Sequence, residues 1–196
     1  FLHGIQPSFT KKKMVRSIIQ THNYAKYYDK FFKKIKFKIK NVCEIGVMAG
    51  ASTAAFYFFF PKSKIYTLDI NYQRYNILSK RIKKYIVDQS SEKSLLNFKK
   101  KIKHVKFDLL VDDGSHIDHD IILTFKNLIS KINKGGYYVI EDVSKELTPN
   151  TLKFLKNKSN LKTFGIKKTM IFKSEEGADL IQRDGTSQNY IVFIKK

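Results

Sequence analysis

The chain has 196 residues, of which 42% are hydrophobic and 28% are charged, and its formal net charge is +21. This length and apolar content exclude wholesale disorder and suit one domain with a sizeable core, or one domain plus a helical extension. The single cysteine, Cys43, excludes an internal disulfide, and no uncharged apolar run approaches the roughly 18–20 residues that a membrane-spanning helix needs.

The first forty residues predict a helical extension. Apolar side chains recur at helical spacing between residues 11 and 36, which indicates one or two amphipathic helices after an irregular start. We expect residues 1–40 to form an N-terminal helical extension and residues 41–196 to form the main domain. His22 and Tyr24 lie where this extension could fold over a bound ligand as a lid, although packing of Tyr24 into the core is an equal alternative.

After residue 40, short apolar runs alternate with polar turns and amphipathic segments. The apolar runs predict strands, and the segments between them predict helices. The expected strands are 41–47, 64–70, 85–89, 107–113 and 136–143, and the expected helices are 50–60, 71–84, 91–103 and 118–132, the last closed by Asn133 and the Gly135–Gly136 pair. Near-continuous apolar strands separated by helices are typical of a parallel sheet covered on both faces.

The last quarter of the chain departs from this alternation. A short helix is expected after Pro149, and two further strands are expected at 169–174 and 189–196, joined by the polar loop 175–188. Without a helix between them, these two strands should pair antiparallel at the edge of the sheet. The predicted fold class is therefore α/β and Rossmann-like, with a mostly parallel seven-stranded sheet, an antiparallel C-terminal edge hairpin and helices on both faces.

Every predicted parallel strand ends in an acidic residue or carries one near its end. These acids are Glu44, Asp69, Asp88, the Asp112–Asp113 pair and the Glu141–Asp142 pair. In doubly wound sheets, ligands bind beyond the carboxyl ends of the strands, where Asp69 could accept hydrogen bonds from ribose hydroxyls and Asp88 with Gln89 could contact an adenine edge. A single acid could equally cap a helix or satisfy a turn, but five in register favour a binding site.

The segment EIGVMAGAS, residues 44–52, follows the first strand and opens the first helix of the domain. Gly46 and Gly50 allow a sharp turn and a close approach of the backbone to a ligand, and the helix start offers free N–H groups. The segment lacks the third glycine of the dinucleotide fingerprint. An acid before such a loop suits a ligand with an amino group and a positive sulfur better than one with a pyrophosphate.

Six segments resemble, in order and spacing, the class I S-adenosylmethionine-dependent methyltransferases. They are CEIGVMAGAS, IYTLDI, DQSSEKSL, DLLVDDGSHIDHD, KGGYYVIEDV and NYIVFIKK. Within that class they are most similar to the macrocin and mycinamicin sugar O-methyltransferases, which share motifs with cephalosporin hydroxylase-like proteins. The resemblance covers roughly residues 20–196, and DDGSH together with GGxYVIED is its most specific part.

The resemblance implies transfer of a methyl group from S-adenosylmethionine to a sugar hydroxyl, assisted by Mg²⁺ or Mn²⁺. It assigns His116 as the general base and Asp113, Glu141 and Asp142 as metal ligands. The implied cofactor contacts are Tyr24, Glu44, Gly46, Gly50, Ser52, Asp69, Asp88, Gln89 and Asp112. The chemistry agrees, because clustered carboxylates favour a hard divalent ion and a neutral imidazole can take the proton of a metal-bound hydroxyl. A vicinal diol would chelate the ion, which favours a sugar as acceptor.

Other interpretations of the segment GSHIDH, residues 114–119, stay open. His116 could be an N-cap or turn residue of the helix that follows, and the acids at 118 and 120 with His119 could be structural, since acids in a first helical turn favour the helix dipole. A dizinc hydrolase motif of the form HxHxDH is disfavoured, because Gly114 replaces its first histidine and no histidine follows His119.

The likeness to the sugar methyltransferases is weakest after the acidic pair. Those proteins usually continue with an aromatic-rich segment near the acceptor. Here the chain reads VSKELTPNT, without an aromatic residue. We therefore expect a different acceptor pocket, and the identity of the acceptor does not carry over.

The strong positive charge suggests nucleic acid as an alternative acceptor or binding partner. Lysines outnumber arginines 34 to 4 and are spread along the chain, which favours a solvated surface over a nucleic-acid interface. An RNA methyltransferase of the same fold and a non-catalytic module of a larger protein are the alternatives. We expect a soluble cytoplasmic protein with a small-molecule or glycan substrate, and association into a homo-oligomer stays open.

Overall fold

The computed structural model describes residues 24–145, 147–173 and 190–196. The strands of these ranges are β1 (Asn41–Ile45), β2 (Lys64–Asp69), β3 (Ile82–Ile86), β4 (Phe107–Asp112), β5 (Ile132–Val143), β6 (Lys168–Lys173) and β7 (Tyr190–Lys195). They form one seven-stranded sheet of order β3-β2-β1-β4-β5-β7-β6. Strands β1 to β5 pair parallel, whereas β7 pairs antiparallel with both β5 and β6. The predicted fold class, with its antiparallel C-terminal hairpin, is confirmed.

Helices cover both faces of this sheet. Within the described ranges they are α1 (Ala25–Phe32), α2 (Ala51–Phe59), α3 (Glu92–Lys101), α4 (Asp118–Leu128), α5 (Pro149–Lys156) and α6 (Lys158–Thr163). Each face of the sheet has its own hydrophobic core, and successive residues of β4 point into different ones. Leu109 packs with side chains of α1 and α2, and Leu110 packs with side chains of α3 and α4. None of these helices is long and apolar enough to cross a bilayer.

Helix α1 packs against the sheet through aromatic rings. Phe32 is fully buried, and its ring centroid lies 5.7 Å from that of Phe60 and 5.2 Å from that of Tyr137. The described part of the predicted extension is therefore continuous with the core of the domain. The boundary at residue 40 and the lid stay predictions, and residues 1–23, with His22, lie outside the described ranges, as does the predicted loop 175–188.

One predicted element and several boundaries differ from the structure. The helix predicted at 71–84 is wrong, because that segment holds irregular turns followed by the start of β3. Strand β3 begins at Ile82 rather than at 85. Helix α4 ends at Leu128, a 3₁₀ turn follows, and β5 begins at Ile132 rather than at 136.

The missing helix has a tertiary cause. The Arg81 guanidinium donates hydrogen bonds to the carbonyl oxygens of Tyr57 at 2.7 Å and Phe60 at 3.1 Å, which ties the segment to the end of α2. The Tyr72 hydroxyl donates a 2.6 Å hydrogen bond to the carbonyl oxygen of Thr67 in β2. Because the ladder along β2 satisfies the backbone groups from Ile82 onward, pairing there overrides the helical spacing of the apolar residues.

Candidate functional site

A cavity of about 1680 Å³ opens at the carboxyl ends of the parallel strands, where helices α1 and α2 form one wall. Most of the site residues predicted from the sequence line it: Tyr24, Gly46, Ser52, Asp69, Asp88, Gln89, Asp113, His116, Glu141 and Asp142. The other three, Glu44, Gly50 and Asp112, are buried behind this lining. The strand-end acids that the sequence placed in register therefore do surround one space.

The loop between β1 and α2 is shaped by glycine. Gly46 has a φ of +76°, and a Cβ atom there would overlap the carbonyl oxygen of Asp113. The first loop of the cavity is thus in backbone contact with the loop after β4. Asp69 supports the same loop, because its Oδ2 accepts hydrogen bonds from the backbone N–H groups of Val47 at 2.8 Å and Met48 at 3.2 Å.

Glu44 is a buried carboxylate with one oxygen that has no hydrogen-bond partner. Its Oε2 accepts a hydrogen bond from the Thr53 hydroxyl, while its Oε1 is buried without a hydrogen-bond partner. Burial raises the pKa of Glu44 to about 7, although the nearby hydroxyl groups of Ser52 and Thr53 act in the opposite direction. An unsatisfied acceptor beside a loop shaped by Gly46 fits a ligand that brings an N–H donor.

Gln89 and Asp112 are joined in a buried network. The Gln89 side-chain amide donates to Oδ1 of Asp112 at 2.6 Å, and the Tyr138 hydroxyl donates to its Oδ2 at 2.9 Å. Gln89 Oε1 accepts a 2.9 Å hydrogen bond from the backbone N–H of Ser115, and a Cβ on Gly114 would overlap that oxygen. Burial raises the pKa of Asp112 to about 7 despite these donors. The network therefore fixes the loop that carries the next two candidate residues.

Asp113, His116 and Asp142 form a cluster at the adjoining ends of β4 and β5. One coordinating atom from each of the three lies within 4.8 Å of the others, and Nε2 of His116 is 3.8 Å from Oδ1 of Asp113. The two strands pair in parallel with Asp112 opposite Ile140, so the residues that follow them emerge side by side. Asp113, Asp142 and the imidazole are thus neighbours, whereas Glu141, the third predicted metal ligand, is not part of this cluster; the roles of all four as metal ligands and base stay predictions.

Electrostatic repulsion within the cluster is strong. Burial, followed by the charges of Glu141 and Asp142, raises the pKa of Asp113 well above its usual range. Burial also raises the pKa of Glu141 to about 8, although the Tyr28 hydroxyl bonded to it acts in the opposite direction. Carboxyl groups that disfavour their shared ionisation in this way fit a divalent cation, which would neutralise them.

Two tyrosines from α1 and its first turn reach the acidic pair. The Tyr28 hydroxyl donates to Oε1 of Glu141 at 2.5 Å, and the Tyr24 hydroxyl donates to Oδ1 of Asp142 at 2.7 Å. Sequence reasoning proposed Tyr24 as a cofactor contact and missed Tyr28. The signal was available, because the two tyrosines are four residues apart and therefore share one face of a helix.

The neighbouring polar residues have structural partners. Helix α4 begins at Asp118 with Ile117 in the N-cap position, so His116 does not cap the helix. Asp118 accepts hydrogen bonds from the backbone N–H groups of Asn150 at 3.0 Å and Thr151 at 2.7 Å at the start of α5. This agrees with the structural role predicted for Asp118 and ties the start of α4 to the start of α5.

Sequence comparisons connect the chain to sugar-modifying enzymes. No protein-family model matches it. It is 32% identical over 129 residues to the mycinamicin VI 2''-O-methyltransferase of Micromonospora griseorubida, which covers 62% of this chain and 32% of that protein. It is 28% identical over 177 residues to the demethylmacrocin O-methyltransferase of Streptomyces fradiae, covering 86% of this chain and 44% of that protein. The chain thus spans less than half the length of these relatives.

Similarity to solved structures identifies the fold of the chain. The MycE methyltransferase of the mycinamicin biosynthetic pathway, determined with Mg and SAH, matches 89% of this chain and 50% of its own with a TM-score of 0.68 and 23% identity. The chain has the class I methyltransferase fold. The resemblance stated from the motifs is confirmed, and in a methyltransferase fold of this kind the crevice beyond the carboxyl ends of the strands is the expected ligand site.

Gly46 offers a test of the contact between the two loops of this methyltransferase fold. We expect Gly46→Ala to lower the free energy of unfolding by more than the roughly 1–2 kcal/mol that a left-handed alanine costs, because its Cβ would also collide with the Asp113 carbonyl. Gly135→Ala is the matched control, since Gly135 has a φ of +84° and a Cβ there would have no other atom within 4 Å. Chemical denaturation measures both, and equal losses would contradict the contact.

Gln89 can be tested as a support of the cavity against a direct cofactor contact. Gln89→Leu removes both of its hydrogen bonds, so we expect the free energy of unfolding to fall by about 1–3 kcal/mol while affinity for S-adenosylhomocysteine is largely retained. Denaturation and calorimetry provide the two measurements, and Gln73→Leu at the exposed rim of the cavity is the control. Unchanged stability with a large loss of affinity would make Gln89 a cofactor contact instead.

Proposed function

We propose that this chain carries the catalytic site of an S-adenosylmethionine-dependent, Mg²⁺-assisted O-methyltransferase that acts on a sugar hydroxyl of a glycan, nucleotide-sugar or glycosylated metabolite. The observation that carries this proposal is the cluster of Asp113, His116 and Asp142, which lies on the wall of the cavity bounded by Gly46. An acid–imidazole cluster beside a cavity of about 1680 Å³, which has room for two ligands, fits a reaction between a bound cofactor and a hydroxyl.

The comparisons support the choice of substrate class. The two relatives described above are named as O-methyltransferases of mycinamicin and macrocin, and a third is named as a rhamnosyl tetracenomycin-C 2'-O-methyltransferase of Streptomyces olivaceus. A further MycE structure was determined with Mg, SAH and mycinamycin VI. Since the chain spans only part of these proteins, the proposal depends on the residues of its own cavity.

The residues of the cavity suit S-adenosylmethionine. Glu44, whose unsatisfied Oε1 is buried behind the lining, would accept from the amino group once the lining opens at that point, and Gly46 permits the backbone to approach the ligand. Asp69 would hold the ribose hydroxyls and Asp88 the adenine side, with Ser52 at the start of α2. The sulfonium, when bound, supplies an electrophilic methyl group.

The acids at the ends of β4 and β5 suit a hard divalent cation. Asp113, Glu141 and Asp142 would hold Mg²⁺ first and Mn²⁺ second, because the donor set of carboxylate oxygens matches their preference. A bound cation would lower the repulsion that raises the pKa values of Asp113 and Glu141. When bound, it would stabilise the alkoxide form of an acceptor hydroxyl.

His116 is the group that would accept the proton. With cofactor and acceptor bound, the imidazole of His116 would take the proton of the acceptor hydroxyl as the methyl group passes from sulfur to the acceptor oxygen. Nε2 of His116 lies 3.8 Å from Oδ1 of Asp113, so the imidazole is placed directly beside the acids that would hold the cation. Enclosure between α1, α2 and the strand ends orients both reactants, which supplies much of the acceleration.

His116 can be tested against a second histidine of the same segment. We expect His116→Ala to lower the rate of methyl transfer by about 10²–10⁴-fold, because the general base is lost, and to leave the affinity for S-adenosylhomocysteine nearly unchanged. His119→Ala is the control, since the His119 side chain is 72% exposed and bonds to Asp120 rather than to the cluster. Transfer is followed with labelled cofactor across nucleotide-sugars, glycans and RNA at several salt concentrations.

The acceptor panel separates the proposal from its alternatives. Methylation of a sugar acceptor supports the proposal. Methylation of RNA whose rate falls steeply at high salt would identify a nucleic acid, rather than a sugar, as the acceptor. Such a fall is expected because lysine contacts to phosphate depend on counterion release. Cofactor affinity without transfer to any acceptor would favour a non-catalytic module. A fully active His116→Ala variant would remove the base assignment while leaving the rest of the proposal.

The buried acids also predict how stability depends on pH and on metal. The folded-state pKa values of about 7 for Glu44 and Asp112 and about 8 for Glu141 lie above the unfolded values of about 4. The folded chain therefore holds protons that the unfolded chain has released, so its free energy of unfolding falls as the pH rises from about 4 to about 8.

Mg²⁺ should counteract this loss, because it binds the deprotonated carboxylates. We expect the metal to raise the melting temperature more at about pH 8 than at about pH 5.5, with EDTA as the metal-free reference. Asp113→Asn should remove most of the metal effect but retain the pH dependence that comes from Glu44 and Asp112. An equal metal effect at both pH values would contradict binding at these acids.

A further inference from the structure

Tyr24 and Tyr28 both form hydrogen bonds to the acidic pair Glu141–Asp142. Each phenol donates its hydrogen to a different member of the pair, Tyr28 to Oε1 of Glu141 and Tyr24 to Oδ1 of Asp142. The contacts span 113 and 118 residues of the chain, so they are tertiary. One side of α1 thus supplies a hydroxyl donor to both carboxylates at the end of β5.

Neither phenol has freedom to move away. Tyr24 is 5% exposed and Tyr28 is 8% exposed. The Tyr28 ring packs edge-on against Phe56 of α2 at 5.3 Å and against Phe193 of β7 at 5.7 Å between centroids. Because α1 is packed on the sheet through Phe32 as well, the two hydroxyls are fixed relative to the strand ends. The two donors are therefore held in place by packing that does not involve the carboxylates.

The acidic pair needs such a constraint. Successive residues of a strand point to opposite faces, yet both Glu141 and Asp142 line the same cavity. The backbone changes course there, since Asp142 has a φ of 52° and the register between β5 and β7 shifts between Ile140 and Val143. A hydroxyl bonded to one oxygen of each carboxylate restricts the rotamer of that carboxylate.

We propose that Tyr24 and Tyr28 are positioning residues of the metal centre, which orient Asp142 and Glu141 by hydrogen bonding to one oxygen of each. This inference rests on the proposed function, because it concerns the cation that the acids would hold. The tyrosines act through the carboxylates and touch neither cofactor nor acceptor in this role. Tyr24 thereby gains a task other than the cofactor contact predicted for it.

The test is the Mn²⁺ affinity of the full chain, measured from the free Mn²⁺ signal in electron paramagnetic resonance. Loss of an outer hydrogen bond to a metal ligand typically weakens metal binding about 10–100-fold, so we expect that loss for Tyr28→Phe and a similar one for Tyr24→Phe. Tyr27→Phe is the matched control on the same helix, because the Tyr27 hydroxyl bonds to the carbonyl oxygen of Lys173, away from the acids. We expect its Mn²⁺ affinity to equal that of the wild type.

A double-mutant cycle separates positioning from general loosening of the fold. Glu141→Gln should weaken Mn²⁺ binding, and adding Tyr28→Phe to it should cause no further loss, because the phenol acts through Glu141. Additive losses, or an affinity for Tyr28→Phe that matches or exceeds that of the wild type, would overturn the inference. If Tyr28→Phe does not fold, the cycle of Tyr24→Phe with Asp142→Asn decides in the same way.

Failure of the inference and failure of the proposed function give different results. A wild-type chain that binds no Mn²⁺ in this assay would refute the metal centre itself. A wild-type chain that binds Mn²⁺ only as tightly as both tyrosine variants would refute the positioning role and leave the metal centre intact. Unchanged affinity for S-adenosylhomocysteine in Tyr28→Phe shows that the cofactor side of the cavity has kept its shape.

Discussion

Carboxyl groups are buried at the tips of adjacent strands, and the cost of burying their charge, to which mutual repulsion adds, raises their pKa values. Three of these acids have hydrogen-bond donors of their own: Thr53 for Glu44, Gln89 and Tyr138 for Asp112, and Tyr28 for Glu141. These donors come from helices α1 and α2, from the loop after β3 and from β5. The acids are therefore held apart by elements of both faces of the sheet, and their geometry depends on both cores.

The order of the strands explains why two chemistries can meet in one cavity. The chain builds β1, β2 and β3 outward on one side and then crosses to β4 on the other, so the crevice opens between β1 and β4. Gly46 after β1 touches the backbone of Asp113 after β4. The loop suited to a nucleoside and the loop that carries the imidazole thus share a wall, which supports direct transfer between neighbouring ligands.

Much of this could be predicted from the sequence, because strands buried on both faces are nearly continuous apolar runs and their acids fall at fixed places. The cluster of Asp113, His116 and Asp142 followed from the ends of two such runs. The helix expected at 71–84 failed, since bonds from Arg81 and pairing with β2 are tertiary and leave no mark on local spacing. The bond from Tyr28 to Glu141 spans 113 residues, so the four-residue spacing of Tyr24 and Tyr28 indicated a shared helix face but not the acids that this face contacts.

Three residues beside the cavity other than glycine adopt left-handed backbone angles: Met48 with a φ of 43°, His116 with 55° and Asp142 with 52°. Such a conformation costs on the order of 1–3 kcal/mol for a side-chain-bearing residue, and glycine would remove most of that cost. At positions 116 and 142, selection for a more stable fold would therefore favour glycine and remove the imidazole and the carboxylate. Thermodynamic stability and the chemistry of the cavity are opposed at these two positions.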